Sequence, residues 1–355
     1  MRAVISAGEP SGEVLAGLLE GELSLRMPAC DVHRLQDRVP VAPVLGFGAG
    51  LLAASRMHTT LDAAERAIVE WLPDVVVLIA YSGWHLPLGR RLRRRGVRVV
   101  FLSPPQVWAW GRWRMRTLRQ AVDRVVCLFR FEQALLRSSG IDADYFGYPL
   151  FDSVAAARRH DAETDRDGAS LRLLLLPGSR PSEYEYHRSL FQTVGAELRR
   201  KFPGLAVTDL RPEASRRAGS AGRPEADLRY QAMARADCAL AVSGTVTAEL
   251  AILGVPMVVC YHLPVTERLL ARALVRTQWF ALPNIIARRP VVPELLNPSP
   301  NVLASAVADL LGSAARRQQM SADLASVRRE FEPAGAMAAI AGLVLSLARS
   351  SPQSA

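Results

Sequence analysis

Short apolar runs alternate along this chain with segments whose apolar positions recur every three or four residues. The runs AVIS (3–6), VVVLIA (75–80), VRVVFL (97–102), RVVCLF (124–129) and ADYFG (143–147) predict strands, and LAGLLEGELSLR (15–26) and LPLGRRLRRRG (86–96) predict helices between them. This rhythm predicts βαβ units and a parallel sheet covered on both faces. It pauses over the polar stretch 154–170 and then restarts with LRLLLL (171–176), CALAV (238–242) and PMVVCY (256–261). Ser182 and Glu185 have the spacing of a capping box, which predicts a helix start after the first of these runs.

The pattern therefore predicts an α/β protein with two doubly wound halves. The expected division is residues 1–153, a linker at 154–170, residues 171–330, and a C-terminal helix and tail over 331–355. Ligands of such sheets sit beyond the carboxyl ends of strands. A length of 355 residues agrees with two domains of roughly 150 residues each.

A net charge of +10 adds an anionic partner: nucleic acid, phospholipid headgroups or a phosphorylated substrate. No nucleic-acid recognition module is visible, so a nucleic-acid partner is not expected. The basic run RRLRRRGVR (90–98) has leucines at helical spacing and reads as a helix with a solvated face. Cys30, Cys127, Cys238 and Cys260 show no C-x-x-C pair or zinc-like spacing, so reduced thiols, no metal site and a cytoplasmic location are expected. No secretory signal is visible at the N-terminus. The apolar stretch at 334–348 is shorter than the ~20 residues that span a bilayer, so any membrane contact would be peripheral.

Three strand-to-helix turns are built of small residues: SAGEPSGE (6–13), LPGSRPSE (176–183) and VSGTVTAE (242–249). Glycine admits an anion close to the backbone, and a helix start favours negative charge. None is a P-loop or a G-x-G-x-x-G fingerprint. Arg180 stands where a guanidinium could reach a diphosphate, and Glu249 where a carboxylate could accept ribose hydroxyls. A plain helical surface position is an equally good reading of Glu249. The segment SPPQVWAWGRWRMR (103–116) interleaves Trp108, Trp110 and Trp113 with Arg112, Arg114 and Arg116. Buried core, a surface for acidic partners and the wall of a sugar site all fit it; in an extended segment Trp108 and Trp110 would share one side.

The motifs AGEPSGE (7–13), SPPQVWAWGRWR (103–114), VDRVVCLFRFE (122–132), GYPLFD (147–152), LLPGSRPSE (175–183), SGTVTAELAILGVPMVVCY (243–261), LPNIIA (282–287) and VPELL (292–296) occur in this order. Together they resemble lipid-A-disaccharide synthases over nearly the whole chain. The resemblance implies a GT-B architecture of two Rossmann-like domains facing a cleft. It also implies inverting transfer of diacylglucosamine from a UDP-sugar to a glycolipid monosaccharide phosphate, with no metal or other cofactor. Implied partners are the UDP-sugar, the glycolipid acceptor and the inner membrane leaflet, and family members can be homodimers. Carried over by position, Gly178, Ser179, Arg180, Ser243, Gly244, Thr245, Glu249, Asn284 and Glu294 would serve the donor. Ser11, Gly12, Trp108, Trp110, Arg112, Arg114 and Arg116 would face the acceptor or membrane.

The N-terminal half departs from the family. Where the family has I-D-x-P-D-F-N, this chain reads IAYSGWH (79–85), so Ala80 and Gly83 replace two aspartates and His85 an asparagine. Ala49 stands for an expected glutamate and Tyr148 for a histidine, and the segment from Cys30 to Val44 reads as too short for the family's second strand. An inverting transfer needs a base for the acceptor hydroxyl, and Glu13 and His85 are the candidates. A transferase with another acceptor and a non-catalytic binding member remain as alternatives.

Overall fold

The computed structural model describes residues 1–39, 51–109, 111–163, 170–178, 181–210, 224–263 and 277–349. They fall into two compact units, Met1–Pro149 joined by the segment from Pro333 onward, and Leu150–Glu332.

Unit 1 is a six-stranded parallel sheet in the order β2-β1-β3-β4-β5-β6. Its strands are β1 (Arg2–Ala7), β2 (Asp31–Arg34), β3 (Val75–Ile79), β4 (Val99–Leu102), β5 (Arg124–Val126) and β6 (Ala143–Asp144). Every residue of β3 and β4 is buried, as expected for central strands covered on both faces. The connecting helices are α1 (Pro10–Arg26), α2 (Leu51–Trp71), α3 (Ser82–Arg94), α4 (Arg114–Ala121) and α5 (Arg130–Arg137). The core joins Trp84, Leu88 and Leu92 of α3 to Val76, Leu78 and Phe101 of the sheet.

Unit 2 begins with α6 (Phe151–Glu163) and holds a five-stranded parallel sheet in the order β11-β10-β9-β7-β8. Its strands are β7 (Arg172–Leu176), β8 (Ala206–Asp209), β9 (Cys238–Val242), β10 (Met257–Tyr261) and β11 (Glu294–Leu296). Around them lie α7 (Pro181–Lys201), α8 (Pro224–Ala234), α9 (Thr245–Leu253), α10 (Leu282–Ala287), α11 (Pro300–Leu311) and α12 (Ala314–Arg329). The chain then re-enters unit 1, where α13 (Ala336–Arg349) packs on α1 and β3. The return is fixed where Gly147, at φ +101°, leaves no room for a Cβ beside the Pro333 carbonyl.

Four sequence expectations change. The polar stretch expected as a linker is helical as far as Glu163 and belongs to unit 2, because Val154, Ala155 and Ala157 supply a buried stripe. The C-terminal helix closes unit 1 instead of standing apart. Four residues suffice for a second strand, since Asp31–Arg34 pairs with Arg2–Ile5 and turns directly into a single 3-10 turn at Leu35–Asp37. Helix α7 starts at Pro181, which puts Ser182 inside the first turn rather than at the cap.

All four cysteines are free thiols, three of them buried. No helix among the described residues is long and apolar enough to cross a membrane.

Candidate functional site

Each sheet has one place where the strand order reverses, and there the connections leave a crevice beyond the carboxyl ends. In unit 1 it lies between β1 and β3, and in unit 2 between β7 and β9.

At the unit 1 switch point, Glu9 starts α1 and Pro10 opens its first turn, which also holds Ser11, Gly12 and Glu13. Gly12 brings the helix onto the strand ends: a Cβ there would sit 3.4 Å from Ala7 and 3.6 Å from Ile79. Opposite, Ala80 and Tyr81 both adopt left-handed backbone (φ 53° and 46°), as does Ser103 beyond β4 (φ 62°). Non-glycine residues hold such angles only where the surroundings impose them, and such positions concentrate at functional sites. Here Ala80 N donates to Leu102 O at 2.8 Å, and the Tyr81 ring lies against Gly8 where any Cβ would collide with it.

The Glu13 carboxylate is about half exposed and accepts from Arg34 Nη1 at 3.3 Å; Arg34 Nε also donates to Glu20 at 3.1 Å. Partial burial raises its pKa above the usual carboxylate value, Arg34 opposes the rise and Asp37 adds to it.

His85, the other candidate base, is fully buried. Its Nδ1 donates to Ala80 O at 2.8 Å, and its Nε2 accepts from Ser6 Oγ at 2.9 Å. Burial pushes its pKa down to about 4. With both ring nitrogens engaged and no path to solvent, His85 does not serve as the base; it ties the Ala80 turn to β1. Gln36 Nε2 completes the network on Ser6 Oγ at 3.3 Å and on the Ala7 carbonyl. Tyr148 is buried, stacking on Phe129.

Over the described residues 103–109 the tryptophan-arginine segment is not extended, since Val107 N bonds Pro105 O and Ala109 N bonds Gln106 O; the expectation that Trp108 and Trp110 share one side falls on Trp110, outside the described residues. Trp108 is half-buried, edge-on to Phe131, and its Nε1 donates to Glu132 at 2.9 Å. Glu132 is buried and also accepts from Leu128 N and Phe129 N at the start of α5; burial raises its pKa to about 7. Trp113 and Arg112 and Arg116 are exposed, whereas Arg114 turns inward to Ser82 at 3.3 Å. Trp110, Ala49, Ser179 and Arg180 lie outside the described residues.

At the unit 2 switch point, Gly178 follows β7 with φ +109°. Beyond β9, exposed Gly244 and Thr245 begin α9, where the helix N-terminus favours an anion. Ser243 Oγ donates to Phe280 O at 2.7 Å, so this residue anchors a loop. Glu249 is buried, with the Arg229 guanidinium 2.8 Å from Oε2 in an ion pair rather than an aligned hydrogen bond.

Asn284 is fully buried. It accepts from Val291 N at 2.7 Å and Val292 N at 2.9 Å and donates to Val292 O at 2.9 Å and Glu294 at 3.2 Å. Glu294 in turn accepts from Ala281 N at 2.8 Å and Phe280 N at 3.2 Å. Glu294, expected at the donor, clamps the 280–281 turn that Ser243 also holds, and Asn284, expected beside it, ties Glu294 to the backbone at 291–292. Burial raises the Glu294 pKa against the pull of these donors. Tyr186 and His262, not singled out in the sequence, stack at 3.9 Å near the end of β10. Glu132, Arg34 and Arg229 were also missed, because a partner distant in sequence gives each its role.

Two Rossmann-like units, each with its crevice at a single switch point, make this an α/β protein of the GT-B class. Among solved structures, the UDP-GlcNAc 2-epimerase of Neisseria meningitidis, determined with UDP-GlcNAc bound, matches with a TM-score of 0.64 at 12% identity over 98% of this chain and 100% of that one. The family model described as lipid-A-disaccharide synthetase matches residues 3–334. The lipid-A-disaccharide synthase of Solibacter usitatus is 33% identical over 93% of this chain and 93% of its own length, and that of Syntrophus aciditrophicus 29% over 98% of both. The chain belongs to the lipid-A-disaccharide synthetase family.

Proposed function

We propose that the protein is an inverting glycosyltransferase that moves a diacylglucosamine unit from a UDP-sugar to a glycolipid monosaccharide phosphate. The family match over residues 3–334 carries this reading. The diphosphate is held at Gly178, Ser179 and Arg180 and at the exposed start of α9, where amide dipoles and a guanidinium offset its charge without a metal. Glu249, held by Arg229 one turn into α9, takes the ribose.

The acceptor oxygen attacks the anomeric carbon, the bond to UDP breaks, and UDP leaves with the electron pair. Glu13 receives the hydroxyl proton. Its position on the first turn of α1, its exposure and its raised pKa all suit a base that must be ionised yet able to hold a proton. Trp113, Arg112 and Arg116 form an apolar and cationic edge suited to acidic headgroups, so the enzyme works as a peripheral protein on the cytoplasmic face of the inner membrane. A homodimer is compatible with this arrangement.

The test is disaccharide formation from UDP-diacylglucosamine and the monosaccharide lipid phosphate, with and without EDTA. Wild type turns over equally in both, and Glu13→Gln loses about 10²–10⁴-fold in kcat with UDP affinity kept. Intact UDP binding without disaccharide would overturn the reading in favour of another acceptor or a binding role. The replacement of two family aspartates by Ala80 and Gly83 is the observation that favours that alternative.

A further inference from the structure

The basic run 90–98 plays no part in the site just described, yet the fold brings two of its arginines, Arg93 and Arg98, to a cavity. At the amino-terminal edge of the unit 1 sheet, opposite the switch point, a recess of about 320 Å³ is lined by Arg93, Arg98, Arg119 and Arg124. Arg93 comes from the end of α3, Arg98 precedes β4, Arg119 lies in α4 and Arg124 opens β5. The lining acids are Asp123 and Asp142, so four arginines and two aspartates line the recess.

Asp123 is already committed. It accepts from Val99 N at 2.8 Å and lies 3.0 Å from Arg93 and 3.5 Å from Arg98. Its role is to hold these two arginines at the rim. Arg124 pairs with Asp144 at 3.5 Å through Nη1, while its Nε is buried with no hydrogen-bond partner among the described residues. A buried donor left unsatisfied is costly, and such a group calls for an explanation. Apolar surface from Val122, Ile141 and Leu347, the last from α13, completes the wall.

We infer that this recess binds a phosphoryl anion, a phosphate monoester or diester carried on an apolar or neutral stem. Guanidinium groups converging from several elements are suited to forked contacts with phosphate oxygens. Excess positive charge in a walled recess concentrates anions. The apolar wall matches a stem behind the phosphate. Since the recess opens at the strand ends opposite those of the catalytic crevice, its ligand is neither donor nor acceptor in turnover.

The experiment is titration calorimetry on the full-length protein held in saturating UDP, which occupies the donor site and separates this inference from the proposed reaction. The probes are inorganic pyrophosphate and the water-soluble dihexanoyl phosphatidylglycerol. Arg98→Ala/Arg119→Ala is expected to weaken binding at least tenfold, with UDP affinity unchanged. Arg316→Ala/Arg329→Ala, which removes the same charge from unit 2, is expected to leave it within twofold. Tighter binding of the lipid than of pyrophosphate assigns the site to membrane headgroups, and the reverse order to a free phosphorylated effector; both support a phosphoryl site. Absence of binding at millimolar probe, or equal weakening by the two double variants, overturns it. Unchanged thermal unfolding of Arg98→Ala/Arg119→Ala is required before the comparison, and the single variant Arg119→Ala replaces it otherwise.

Discussion

Burying an ionisable group favours its neutral form, and unit 1 does this to His85 and Glu132 with opposite signs. For His85 the folded pKa of about 4 lies below the ordinary 6.5, so its contribution to stability is present above pH 6.5 and is lost as pH falls toward 4. For Glu132 the folded value of about 7 lies above 4.5, so its contribution is present below pH 4.5 and is lost as pH rises through 7. Urea unfolding followed by tryptophan fluorescence reads this directly, since Trp279 is the one tryptophan of the six outside unit 1. From pH 4.5 to 7 the stability of wild type relative to Glu132→Gln should fall by on the order of 3 kcal/mol, and relative to His85→Gln it should rise by a similar amount between pH 4 and 6.5. Flat differences would mean that neither group is buried as described. A related contrast separates structure from chemistry: His85→Gln should lower stability while leaving the acid limb of the kcat profile to Glu13.

Among elements, the turn from β3 into α3 carries the most strain, with two successive left-handed residues and the Tyr81 ring filling the space that Gly8 leaves open. Gly8→Ala should cost about 1–3 kcal/mol through that collision, and most of the cost should vanish in a Tyr81→Ala background. A purely additive double-mutant cycle would show that the ring does not occupy this space. Such a turn was not legible in IAYSGWH, because nothing in local pattern says that an alanine and a tyrosine will be forced to positive φ. The buried strands were legible, since VVVLI and VVFL have no polar face to misplace. So were the small-residue turns, those after β7 and β9 flanking the one switch point of unit 2 and that after β1 at the one of unit 1. Short edge strands such as β8 and β11 were not, because four and three residues give no measurable period. Site residues were the least legible. Motif position put Asn284 and Glu294 at the donor, and nothing in local pattern says that their side chains also bond backbone on either side of α10, Glu294 at 280–281 and Asn284 at 291–292. The linker expectation failed for a related reason: the apolar stripe of α6 is short, Val154, Ala155 and Ala157, and the polar sequence after it has no strong period.

For the molecule as a whole, the division into units decides what a truncation does. Ending the chain after Glu332 removes α13 from its place on α1 and β3 and bares the surface of α1 that it covers. Limited proteolysis should then degrade unit 1 while a fragment spanning 150–332 survives, and near-ultraviolet circular dichroism of the tryptophans should collapse. Equal resistance of the two halves would contradict the discontinuous unit.

The same discontinuity has a consequence during synthesis. Residues 150–332 form a continuous unit and can fold as they emerge, whereas the sheet of unit 1 is made first but waits for a helix made last. At roughly 5–20 residues per second, that wait lasts on the order of ten to forty seconds. Throughout it, the apolar face of α1 stands uncovered on the ribosome, within reach of any chaperone or neighbouring nascent chain. The cell therefore meets this enzyme as a half-finished binding surface before it meets it as a catalyst.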